Sequence, residues 1–310
     1  MWLLLAFLSA TLLGFYDVFK KKSLKDNAVL PVLFLNTLFS SLIFLPFILL
    51  SAFVPGVLEG TMFDVPVVGW EVHKFIIIKS FIVLSSWILG YFGMKHLPIT
   101  IVGPINATRP VMVLVGAMLV FGERLNLYQW IGVLLAVVSF FMLSRSGKKE
   151  GIDFKHNKWI LFIVLAAVAG AVSGLYDKYL MKQLPPMVVQ SWYNVYQVFI
   201  MCPILALLWW PKRKSSTPFR WDWAIIFISI FLCAADFVYF YALSYEDSMI
   251  SIVSMVRRGS VIVSFLFGAM MFREKNLKSK AIDLILVLIG MIFLYLSLIH
   301  ISEPTRRTPI

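Results

Sequence analysis

Ten runs of about 20 mostly apolar residues follow one another along this 310-residue chain, joined by mostly short connectors. They cover 2–19, 29–53, 72–94, 98–121, 127–144, 158–181, 187–210, 222–245, 248–272 and 280–300. An α-helix of about 20 apolar residues crosses the ~30 Å hydrocarbon core of a bilayer. None of the runs alternates as a barrel strand does. The chain is 60% hydrophobic and 14% charged, with mean hydropathy +0.88. Soluble domains average about 45–50% apolar and about 25% charged residues. A water-soluble globule and a disordered chain are both excluded on those figures. The expected fold is an all-α membrane protein with ten transmembrane helices.

The charges agree with this. Eighteen Lys and Arg lie in the connectors after the odd-numbered runs, among them Lys20, Lys95, Arg145, Lys212 and Arg273. The even connectors and the tail hold five: Lys74, Arg124, Lys182, Arg306 and Arg307. The positive-inside rule then places both termini outside the cytoplasm. The net charge of +12 points to an anionic membrane surface, not to nucleic acid. Lys20-Lys21-Lys22 follow the first run instead of preceding it, so that run reads as a retained span and not as a signal peptide. Cys202 and Cys233 lie inside apolar runs, which argues for core packing and against a disulfide framework. Residues 302–310 break the apolar character and are set aside as a tail or as non-native sequence.

The chain also repeats itself. Ala6, Ala10, Gly14, Tyr16 and Asp17 recur as Ala166, Gly170, Gly174, Tyr176 and Asp177, each 160 residues on. Asn36 and Pro46 have counterparts in Asn194 and Pro203, and Phe121-Gly122-Glu123 returns as Phe272-Arg273-Glu274. The chain therefore divides into a first five-helix repeat (1–145), a basic connector (146–157) and a second five-helix repeat (158–301). Five is odd, so the second repeat enters the membrane inverted, an arrangement that builds a site near the midplane. Small residues at every fourth position on runs 1 and 6 admit close helix packing.

With these features in hand, the chain resembles the EamA-type drug/metabolite transporter superfamily. The likeness rests on Pro104, Gly122-Glu123-Arg124-Leu125 and Gly132, and more weakly on Phe272-Arg273-Glu274-Lys275 and Gly290. It implies a small-molecule carrier with both termini in the cytoplasm, opposite to the charge count. A local stretch, Arg257-Arg258-Gly259-Ser260-Val261-Ile262-Val263-Ser264, is similar to the triose-phosphate translocator branch, in which the basic pair contacts substrate phosphate.

Charge inside a span is costly. One Arg at a helix centre costs roughly 2.5–3.5 kcal/mol on the insertion scale, so such residues face a wet cavity or a partner. Arg109 lies mid-run in span 4; Arg257 and Arg258 lie mid-run in span 9, its repeat partner. The functional reading is an anion clamp, since guanidinium donates paired hydrogen bonds to carboxylate or phosphate. The alternative pairs these arginines with Asp17, Asp236, Glu246 or Asp283, or with helix carbonyls. Lys79, Asn106, Tyr91 and Tyr239 join the candidate substrate-binding set. Tyr16-Asp17 and Tyr176-Asp177 are candidate gating or ion-coupling residues, against a simple pairing of Asp17 with Lys20 or Lys21.

No His-Glu-x-x-His, Gly-x-Ser-x-Gly or Walker motif occurs, and His73, His96, His156 and His300 show no metal-ligand spacing. No enzyme, cofactor or metal is expected. The expectation is a secondary transporter in the bacterial inner (plasma) membrane, as a monomer or homodimer. It moves a small organic metabolite with an anionic group by alternating access between its halves. Two alternatives stay open: an exporter of neutral or amphipathic solutes such as amino acids or drugs, with structural arginines, and a non-transport scaffold or receptor.

Overall fold

The computed structural model describes residues 2–54, 56–109, 156–181, 183–243 and 259–272. It also describes scattered positions: 111–112, 127, 130–131, 134–135, 138, 142, 245, 253, 256–257, 277–278, 281–282, 284–286, 288–289 and 292. Among these residues the helices are α1 (Trp2–Leu24), α2 (Val29–Phe53), α3 (Trp70–His96), α4 (Ile99–Ala107), α5 (Lys158–Met181), α6 (Pro186–Ile204), α7 (Ala224–Leu243) and α8 (Ser260–Phe272). A π-turn at Leu205–Trp209 and a 3-10 turn at Trp210–Lys212 prolong α6. Pro203, which cannot donate to the preceding turn, sits just before that widening. Six of these helices are long and apolar enough to cross a membrane. Most residues of the apolar runs at 108–121, 127–144 and 280–300 lie outside the described residues.

The helices are inside out relative to a soluble bundle. α5 exposes Leu161, Leu165, Val168 and Val172, spaced along one helical face, and α1 exposes Leu3, Leu4, Phe7 and Leu8. Ser9, Asn36, Ser40, Lys79, Gln190, Asn194, Gln197 and Asp236 are buried instead. Only a lipid solvent makes both choices favourable. Cys202 and Cys233 are both free thiols.

Helix contacts carry the symmetry of the repeat. Exchanging the halves maps α1, α2, α3 and α4 onto α5, α6, α7 and α8. Under that exchange the α1–α7 contact becomes α5–α3, α1–α8 becomes α5–α4, and α2–α7 becomes α6–α3, and all six contacts are present. The α2–α6 and α4–α8 contacts map onto themselves, so the pseudo-twofold axis passes through both. The chain is an all-helical membrane protein built of two repeats.

The connectors after spans 1, 3 and 7 gather at one end. Lys21 Nζ donates to the carbonyls of Met94 at 2.7 Å and Leu97 at 2.5 Å, closing the C-terminus of α3. Lys95 Nζ reaches Thr217 Oγ1 at 2.8 Å, and Asn27 Nδ2 donates to the Arg220 carbonyl at 2.7 Å. His96 stacks on Trp159 with centroids 3.6 Å apart.

The small-residue stripe separates into different roles. A methyl added at Gly14 would lie 2.5 Å from Val263 Cβ and 2.9 Å from the Ser260 carbonyl oxygen, so glycine lets α1 seat against α8. Its repeat counterpart, Gly174, has nothing within 4 Å of that position. Gly14→Ala is expected to destabilise the protein by about 1–3 kcal/mol through overpacking. Gly174→Ala is expected to stay within about 0.5 kcal/mol of the native protein. Unfolding in detergent, followed for both variants, checks the contrast.

Candidate functional site

Three acid–base pairs stud the buried polar core. Lys20 Nζ meets Asp17 Oδ1 at 2.5 Å one turn along α1, and its ammonium lies 4.2 Å from the Tyr16 ring and 5.4 Å from the Tyr91 ring. Lys79 of α3 pairs with Asp177 of α5, joining the two halves, with its ammonium 4.9 Å from the Tyr193 ring. Arg257 pairs with Asp236 of α7 and stacks its guanidinium 4.2 Å from the Tyr239 ring. Asp236 is doubly held, since Tyr193 donates its hydroxyl to the other carboxylate oxygen at 2.9 Å. Each arrangement combines a charge-assisted hydrogen bond with an aromatic face, the two contacts that make a desolvated cation tolerable.

Arg109 differs. It comes ten residues after Ile99, about 15 Å along a helix and so near mid-membrane. Regular α4 ends just before it, where the Thr108 amide donates to the Ile105 carbonyl at 3.2 Å. Nη2 of Arg109 donates to the neutral Asn106 Oδ1 at 3.2 Å. Its Nε, like that of Arg257, has no hydrogen-bond partner, but unlike Arg257 it has no carboxylate within 4.0 Å among the described residues. The guanidinium lies against Gly170 of α5, where an added methyl would come within 2.7 Å of Cζ. α4 and α8 pack antiparallel, with Ile99 against Gly268 and Gly103 against Val261, so the continuations of the two helices bring Arg109 and Arg257 to the same level of the bundle.

The remaining sequence candidates are distributed around this centre. Tyr91 is buried beside Tyr16 and Lys20. Asn106 supports Arg109, and Tyr239 supports Arg257. Tyr16 is buried, whereas Tyr176 is partly exposed and donates to the Phe75 carbonyl at 3.2 Å. Arg258 lies outside the described residues. In the polar layer between α2, α6 and α7, Asn36 and Asn194 are legible in the sequence as in-span polar groups that need partners, whereas Gln190, Gln197 and Ser229 are not among its candidates. Gln190 Nε2 donates to the Cys233 carbonyl at 3.2 Å, Ser229 Oγ to Asn36 Oδ1 at 3.1 Å, and Gln197 is fully buried. The spacing of Gln190, Asn194 and Gln197 on one helical face was the readable signal for it. In the sequence Asp236 stands only as one of several possible partners for the span arginines.

The seams between halves are related by symmetry and share features. Aromatic contacts occur on both, with Phe75 6.2 Å from Tyr179 between α3 and α5, and each has a buried serine-to-carbonyl hydrogen bond. Yet among the described residues an ion pair crosses α3–α5 alone. α3 and α5 are joined by Lys79–Asp177 and by Tyr176 to the Phe75 carbonyl. α1 and α7 meet through Phe19 stacked on Phe227 at 5.2 Å and on Phe231 at 5.3 Å. Asp17, the counterpart of Asp177, bonds within its own helix. Near Asp17, at the basic end, an open basin of about 270 Å³ is lined by Lys21, Lys25, Asp26, Lys95 and His96.

The sequence profile of the EamA-like transporter family matches residues 1–145 and 157–296. An uncharacterized transporter of Archaeoglobus fulgidus is 24% identical over 276 residues, covering 88% of this chain and 90% of that protein. A solved structure described only as the crystal structure of a protein superposes with TM-score 0.61 at 16% identity. The match covers 96% of this chain and 99% of that one, which establishes a shared fold.

Removing one partner of a buried pair strands the other charge and costs more than removing both. Lys79→Met and Asp177→Asn are each expected to lower the unfolding midpoint, and the double variant to recover part of the loss. The expected coupling in a double-mutant cycle is about 0.5–3 kcal/mol.

Proposed function

This chain belongs to the EamA-like transporter family, and from that premise we propose that it is a secondary carrier of a small organic anion. Arg109 is the residue that grips the anionic group. The observation that carries this reading is its incomplete pairing: a guanidinium near mid-membrane whose hydrogen bond goes to a neutral amide and whose Nε is unpartnered. A carboxylate or phosphate oxygen supplies the missing acceptor. Asn106 orients the guanidinium, Gly170 makes room for it, and Arg257, on its Tyr239 platform, forms the opposite wall. The lysines of the basic end attract anions toward the site from the cytoplasm. The protein works in the cytoplasmic membrane, and no catalytic step is assigned to it.

Alternating access follows from the inverted halves, with the symmetry-related seams as gates. The α3–α5 seam, latched by Lys79 and Asp177, closes one end, and the phenylalanine-lined α1–α7 seam closes the other. An exporter of neutral solutes fits less well, because it leaves Arg109 without the partner that its desolvation demands.

Purified protein in liposomes tests the proposal. Uptake of anionic metabolites is expected to fall at least tenfold in Arg109→Ala, a change of about 1.4 kcal/mol or more in transition-state terms. Gly170→Ala is expected to impair uptake with little loss of stability, because the atoms it meets end a flexible side chain. Uptake that survives Arg109→Ala unchanged contradicts the assignment. Asp177→Asn is expected to raise labelling of a cysteine introduced at the α3–α5 end in a protein lacking Cys202 and Cys233, because the latch loses its charge.

A further inference from the structure

The buried charges of the described core leave one positive charge over. Asp17 faces Lys20, Asp177 faces Lys79 and Asp236 faces Arg257, whereas Arg109 faces no carboxylate. Asp17 is already committed to Lys20 within α1, whereas Asp236 cancels Arg257, the arginine level with Arg109 across the α4–α8 contact. It is also firmly held. The Tyr193 hydroxyl donates to Oδ2 at 2.9 Å, leaving Oδ1 to the guanidinium, and the Tyr239 ring braces that guanidinium from its face. Helices α3 and α7 exchange under the pseudo-twofold axis, yet α3 brings a cation, Lys79, and α7 an anion, Asp236. The centre of this symmetric bundle is therefore electrically asymmetric.

We propose that Asp236 sets the valence of the transported anion: by neutralising Arg257 it holds the site at one net positive charge, so that singly charged anions are selected over doubly charged ones of the same skeleton. The inference rests on Arg109 being the anion-binding residue. A monoanion on Arg109 brings the local sum to zero. A dianion leaves an uncompensated negative charge in a low-dielectric core, and drawing Arg257 away to meet it strands Asp236 instead. Asp236 is thus a positioning residue that acts through Arg257, and its removal turns a one-charge site into a two-charge clamp.

Matched pairs of ligands test this on the purified full-length protein: succinate and monomethyl succinate, a phosphate monoester and its methyl diester, at a pH where every carboxyl and phosphate is fully ionised. Thermal stabilisation against ligand concentration reads the preference, since a bound ligand stabilises in proportion to its affinity. The native protein is expected to prefer the singly charged member of a pair by at least about tenfold. Asp236→Asn is expected to reverse that order, and Asp236→Glu to keep it. Asp236→Asn combined with Arg257→Gln restores one net charge and is expected to bind more weakly in the native order, which separates charge from shape. A native protein that favours the doubly charged member overturns the proposal, as does a double variant that favours it. If Asp236→Asn fails to fold, the native protein and the double variant still decide. Binding in which both members of each pair are equal sinks the valence role alone. Absence of binding by every anion, with Arg109→Ala indistinguishable from native, sinks the anion reading itself.

Discussion

The high free energy of an ion in hydrocarbon organises the centre of this protein. Cations buried there persist because each brings a compensating neighbour: Lys20 has Asp17, Lys79 has Asp177, and Arg257 has Asp236. Aromatic rings complete the solvation, with Tyr16, Tyr193 and Tyr239 each under a cationic group. The pairs differ in reach. Lys20–Asp17 stays within one helix, Arg257–Asp236 joins helices of one half, and Lys79–Asp177 joins the two halves. Of the three, only the last crosses between the halves, which is what the proposed latch requires.

Duplication constrains the helices more than the side chains. The exchange of halves reproduces the major helix contacts, since small-residue faces and apolar stripes recur in both repeats. The chemistry laid on that scaffold has diverged. Aromatic contacts occur on both seams, whereas among the described residues an ion pair crosses the α3–α5 seam alone. Gly14 is wedged against Val263, whereas Gly174 faces open space. A carrier whose gates close by different interactions need not spend equal time open to each side, because breaking an ion pair and separating aromatic rings respond differently to water entry.

Arg109 is the exception to the pairing rule and so the most informative residue. Its guanidinium is buried against Gly170, held by Asn106, and lacks a carboxylate among the described residues. A polar group left in that condition is costly in a structural role and useful in a binding role, because the ligand itself completes its coordination.

Much of this was readable in the sequence. Run length and composition dictate membrane-spanning helices, because runs of this length lack barrel alternation and a helix satisfies its backbone groups within its own segment. The 160-residue offset from Tyr16-Asp17 to Tyr176-Asp177 discloses two related halves, and the mid-run position of Arg109 and Arg257 marks them as residues in need of partners. Which partner each found was not readable. Asp17, Asp236, Glu246 and Asp283 were equal candidates for Arg257 on the page, and Asp236 was selected by packing α7 against the rest of the core. Likewise the repeat predicts like roles for Asp17 and Asp177, but one bonds to its own helix and the other crosses to Lys79. Periodicity is a local property, carried by each helix alone. Pairing depends on distances between helices that are far apart in the chain, and only the folded arrangement sets those.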